Sequence, residues 1–65
     1  MGTVIKYILK FSDEVIKWAK ANLSAAKFKE LYAAIKGGIT AVQKFCGENS
    51  KTCWTIFWEV ISNLI

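Results

Sequence analysis

Histidine, arginine and proline are absent from this 65-residue chain, and glycine is held to four positions. Each absence excludes something. Without histidine the chain lacks the commonest general base and the commonest metal ligand. Without arginine it lacks the fork-shaped donor that reads guanine and clamps phosphate at two points. Without proline, and with glycine only at Gly2, Gly37, Gly38 and Gly47, little inside the chain interrupts a helix. The expected fold class is all-α, and both catalysis and sequence-specific nucleic-acid binding lose weight.

Long apolar runs are missing as well. The longest uncharged stretches, Gly37 to Gln43 and Thr52 to Trp58, have seven residues each, against the roughly 20 that a membrane-spanning helix requires. Lys6, Lys10, Asp13, Glu14 and Lys17 interrupt any hydrophobic region that would precede a cleavage site at Ala19-Lys20-Ala21. Lys6 also stands where a myristoylation motif wants Ser or Thr. If the chain is exported, it is expected to leave without a cleaved signal peptide.

What the chain does contain is lysine and apolar surface. The net charge of +4 comes from lysine alone among the cations. Lys6, Lys10, Lys17, Lys20, Lys27, Lys29, Lys36 and Lys44 precede residue 45 and face only Asp13, Glu14 and Glu30. That segment carries 8 − 3 = +5 in side-chain charge, and residues 45–65 carry 1 − 2 = −1. The last 16 residues, SKTCWTIFWEVISNLI, are mostly apolar and hold Trp54, Phe57 and Trp58. Hydrophobic residues make up 54% of the whole, above the usual 45–50%. A chain this short buries only about 60% of its unfolded surface, so some apolar surface must stay outside or meet lipid or a partner.

Periodicity predicts short helices in a single domain, 1–65. Val4, Ile8, Phe11, Val15 and Ala19 recur at spacings of three and four, opposite Lys6, Lys10, Asp13, Lys17 and Lys20. Two stripes in phase predict one amphipathic helix over 3–22. The competing signal is Ser12-Asp13-Glu14, an N-cap followed by first-turn acids, which would split it. Ser24 reads as the N-cap of a helix over 25–36, closed by Gly37 in a left-handed conformation. A short helix over 39–46 follows, ended by Gly47. A last one opens at Ser50 and reaches Asn63 or beyond. Thr52, Thr55, Glu59, Ser62 and Asn63 form its one polar stripe, so the rest of its circumference is core or faces something other than water. Short linkers predict a compact bundle of four, or with the split five, amphipathic helices.

Cys46 and Cys53 fall at the end of one predicted helix and the start of the next. A disulfide there would staple the hairpin and contribute about 2.5 kcal/mol in the chain-entropy estimate. It would also imply an oxidising destination. The alternative is two reduced, partly buried thiols behaving as small apolar residues. Two sulfurs with no histidine make a zinc site improbable, and neither Cys46 nor Ser12 has a base to activate it. No catalytic residue, cofactor or metal is expected.

The lysines and aromatics carry the functional expectation. A lysine stripe is ordinarily just the solvated face of a helix, and tryptophans ordinarily fill cores. Here one of Trp18, Trp54 and Trp58 is expected in the core and two partly exposed. Cations beside interfacial aromatics suit binding to an anionic lipid surface. A nucleic-acid partner would want Asn, Gln or Arg beside the lysines, and Gln43 is the only glutamine.

A short lysine-rich chain that opens MGTVIKYILKF and interleaves Lys with Trp resembles the leaderless bacteriocins of the aureocin and lacticin kind. The resemblance lies in composition and layout over the whole chain. It implies a saposin-type helical fold, secretion by a Gram-positive bacterium, and killing of related bacteria by membrane permeabilisation. The chain is longer than most such peptides, carries a cysteine pair that many lack, and has five acidic residues. Together these readings give a secreted monomer acting at the target cell membrane. Its lysines bind anionic bacterial lipid and its Trp18, Trp54, Phe57 and Trp58 enter the bilayer, with helices rearranging so that apolar faces meet acyl chains. Neither nucleic acid nor a small-molecule substrate is expected. The alternative is a small interaction module, such as an immunity or partner-binding protein, whose apolar last helix is covered by protein. A lipid-transfer carrier of saposin type is the third class.

Overall fold

In the computed structural model, which covers residues 1–65, five helices follow one another with almost no intervening chain. They are α1 (Gly2–Lys10), α2 (Ser12–Asn22), α3 (Ala25–Gly37), α4 (Ile39–Glu48) and α5 (Ser50–Glu59), with a 3-10 turn at Ile61–Asn63. α1 packs against α4 and α5, while α3 joins α2 to α4. The all-α bundle expected from composition is what forms, in its five-helix version.

The single helix expected over 3–22 is broken at Phe11, whose backbone turns to φ −109° and ψ 39°. Length explains the break. Twenty continuous residues would make a helix about 30 Å long, and the molecule measures 27 × 24 × 19 Å. A kink lets both halves wrap one core. The register survives it, since Val4, Ile8, Val15 and Ala19 are all buried. No backbone bond carries the amides of Ser12, Asp13 or Glu14 across the break. Asp13 and Glu14 lie beside those free donors in the first turn of α2, where the helix dipole favours negative charge. The acids carried the signal. Ser12 makes no side-chain cap.

Ser24 caps α3 as expected, its Oγ accepting from the Lys27 amide at 3.3 Å. The next boundary lies one residue later than expected. Gly37 ends α3, and Gly38 takes the positive φ, 93°. Gly37 is needed for another reason: a Cβ there would lie 2.8 Å from the Cβ of Ala41 on α4. Gly47 does not end α4, which runs on to Glu48.

α5 stops at Glu59, short of the expected Asn63. Side chains take over its free carbonyls: the Ser62 hydroxyl donates to the Trp58 carbonyl, and the Asn63 amide donates to that of Glu59. In a continued α-helix Ile61 would sit about 100° round from Val60. The backbone departs from helical angles at Val60, to φ −108° and ψ −62°, and both side chains are buried in the core.

The core is aliphatic. Val4, Ile5, Ile8, Val15, Leu31, Val42, Ile56, Val60 and Ile61 fill it with two alanines, the two cysteines and Phe45, and no polar side chain is buried. Cys46 and Cys53 form the disulfide, with Cα atoms 5.6 Å apart and both side chains sealed from solvent. The staple expected between the two last helices is present.

Candidate functional site: the lysine faces and the aromatic face of α5

Nine aromatic residues meet a core that admits only Phe45. The other eight lie at the surface or half-buried against it, in clusters set by helical spacing. On α1, Tyr7 and Phe11 stack with centroids 6.0 Å apart, and the Lys10 ammonium sits 5.9 Å and 5.7 Å from the two rings. On α3, Phe28 stacks on Tyr32, and the Lys36 ammonium lies 5.4 Å above the tyrosine ring. Such exposed cation–π contacts are worth about 0.5–1 kcal/mol each.

On α5 the rings meet edge to face instead. Phe57 is 6.0 Å from Trp54 and 5.5 Å from Trp58, a favoured aromatic geometry. Phe57 is half-buried against the core, whereas Trp54 is 43% and Trp58 64% exposed. Cys53, Ile56 and Val60 turn inward, which puts Trp54 and Trp58 on the outer side of the helix. Lys51 is exposed too, and positions 51, 54 and 58 share one face. Counting charge by segment hid Lys51, because it sits in the acidic third of the chain. Its spacing to the tryptophans would have revealed it.

Trp18 lies elsewhere. It is half-buried on α2 and sits in a groove between α2 and α5, beside Thr55 and Glu59. Glu14, Lys17 and Asn63 extend the same groove toward the C-terminus. The polar stripe of α5 therefore faces α2, on the side away from Phe57. None of the three tryptophans is fully buried, against the one expected in the core.

Lys6, Lys10, Lys17, Lys20, Lys29, Lys36 and Lys44 all project outward. Lys10, Lys20 and Lys36 stand in the last turns of their helices, where a cation complements the dipole. Lys27 differs. It is half-buried, and its ammonium donates to the Asn49 side-chain oxygen, tying the start of α3 to the turn between α4 and α5. Asn49 in turn donates from its side-chain amide to the Phe45 carbonyl at 3.2 Å.

No cluster of three or more metal-ligating side chains forms, and no helix is long and apolar enough to cross a membrane. No protein-family model, curated protein or solved structure matches this chain.

Proposed function

We propose that the protein is a cationic, membrane-active antimicrobial peptide of the bacteriocin kind, secreted and acting on anionic bacterial membranes. The observation that carries this reading is an apolar outer face on α5, with Trp54 and Trp58 exposed, on a bundle of net charge +4. Lysines of the first four helices draw the protein to anionic lipid, each contributing about 1 kcal/mol near the surface. Indole rings combine an apolar body with one polar donor, which suits them to the headgroup region. Their entry thins the bilayer and makes it leak.

Dye release from vesicles tests this. The oxidised protein should release dye from anionic vesicles at low micromolar concentration and leave zwitterionic vesicles intact. No binding and no release from either would remove the membrane reading.

The same exposed tryptophans support a second reading, since aromatic residues are also enriched where proteins meet proteins. In that case α5 is covered by a protein partner, and vesicles of both kinds stay intact.

A further inference from the structure

We propose that the bundle docks on an anionic bilayer as one folded body through the outer face of α5. Trp54 and Trp58 serve as anchors, Phe57 lies at the rim, and Lys51 meets the headgroup phosphates. This rests on the membrane reading and narrows it, because insertion would then require no rearrangement of helices.

The apolar faces of the other helices are already committed. Val4, Ile5, Ile8, Val15, Ala19, Leu31 and Val42 are at most 5% exposed, and presenting them to lipid would mean opening the core. α5 keeps apolar surface to spare. Of the seven large hydrophobic side chains that stay exposed, Trp54, Trp58, Leu64 and Ile65 lie in the last twelve residues. The helix that carries the tryptophans is also held firmly. Cys46–Cys53 fixes its start to α4, and Val60 and Ile61 bury its end. The edge-to-face contacts of Phe57 with both indoles hold the rings before any lipid arrives, so less side-chain freedom is lost on docking.

Charge favours the same orientation. Lys51, one turn before Trp54, borders both the outer stripe and the groove that holds Trp18, while Glu59 lines that groove along both of its parts. Helical spacing sets Lys51 about 20–60° from the two indoles and Glu59 about 100–140° from them, so an anionic headgroup at the stripe meets the ammonium before the carboxylate. Trp18, half-buried in the groove among Asn22, Lys51, Thr55 and Glu59, takes no part in anchoring.

Three variants that each keep one tryptophan test the assignment: W18F/W54F, W18F/W58F and W54F/W58F. Each is first checked for native helicity by far-UV circular dichroism. Each is then mixed, oxidised, with vesicles of phosphatidylglycerol and phosphatidylcholine whose acyl chains are brominated. With lipid raised until sedimentation shows each variant bound, the expected result is blue-shifted, quenched emission from Trp54 and from Trp58, unchanged emission from Trp18, and no change in helicity on binding. Quenching of Trp18 as strong as that of the other two, or a change in helicity on binding, would overturn the proposal. Sedimentation with vesicles separates the two levels of failure. Sedimentation with lipid while Trp54 and Trp58 stay unquenched removes the α5 assignment alone, and failure of the unsubstituted protein to sediment removes the membrane reading with it. Should a phenylalanine variant fail to fold, W54A/W58A gives the same decision through sedimentation. Its affinity for these vesicles should fall on the order of a hundredfold, and an unchanged affinity would sink the proposal.

Discussion

The outer faces of α3 and α5 are built on one spacing and end with opposite characters. Lys29, Tyr32 and Lys36 occupy on α3 the relative positions that Lys51, Trp54 and Trp58 occupy on α5. In α3 the aromatic ring lies between two lysines, and Lys36 covers it. In α5 the lysine stands at one end and the second aromatic, Trp58, is the most exposed ring. A spacing of three and four selects a face of the helix. It does not say whether that face is content in water. The residue at the third position does, and here it separates a solvated stripe from an apolar one.

The sharpest test of whether the apolar α5 stripe needs help from charge leaves both stripes intact and removes cations from α1 and α2. Replacing Lys6, Lys10, Lys17 and Lys20 with glutamine removes up to about 4 kcal/mol of surface attraction, at about 1 kcal/mol for each ammonium near the surface. Binding to anionic vesicles should fall by up to about a thousandfold in an equilibrium sedimentation assay. All four side chains are exposed, so the circular dichroism spectrum should not change. Full binding after this change would mean that the α5 face works without electrostatic help.

The two stripes also differ in how their helices are held. α3 begins on a hydrogen-bonded serine, and α5 begins within a covalent loop. Replacing both cysteines with serine should cost about 2.5 kcal/mol. For a chain this small that corresponds to a fall in Tm of roughly 10–20 °C, read by thermal melting. Both sulfurs are fully buried, so the new hydroxyls add to the loss. A Tm within a few degrees of the parent would show that packing alone positions α5.

Trp58→Lys turns the α5 stripe into Lys–Trp–Lys, the pattern of α3 with tryptophan in the middle. Electrostatics alone predicts tighter binding to anionic vesicles, because the net charge rises from +4 by one. Loss of an exposed indole from the docking face predicts the reverse. We expect binding to weaken on the order of tenfold, since the buried area of one aromatic outweighs one surface charge. Stability should move by no more than about 0.5 kcal/mol, as at other exposed positions. Tighter binding would assign the whole interaction to charge.

Most of the fold was legible in the residues because local chemistry marks it. Ser24 announces its cap, the paired cysteines lie at a distance that a hairpin closes, and the stripes of α1 and α2 name the side chains that become core. The misplaced boundaries share a cause. At Phe11 the pattern keeps phase through the break, and only the size of the core shows that a straight helix would overrun it. At Gly37 and Gly38 either glycine can supply the turn, and the choice falls to Ala41 on the next helix. α5 ends early because Ile61 is drawn into a core whose other walls come from distant residues. The candidate site was half legible. Trp54, Phe57 and Trp58 follow from spacing, whereas the groove around Trp18 exists only once α2 and α5 lie side by side.

The smallest effect tests the α3 side of the comparison. Ser24→Ala removes the hydroxyl that accepts from the Lys27 amide and leaves that donor to water. Such a cap contributes about 1 kcal/mol, or roughly 4–8 °C in Tm for a domain of this size. Lys27 also reaches Asn49 through its ammonium, so fraying at the start of α3 should spread to the turn before α5. Amide exchange measures this directly. Faster exchange at Lys27 and Phe28 is expected from the lost cap, and faster exchange at Asn49 and Cys53 from the lost tether. If only the first pair quickens, the two stripes sit on independently stable helices, and the link through Asn49 adds nothing to the hold on α5.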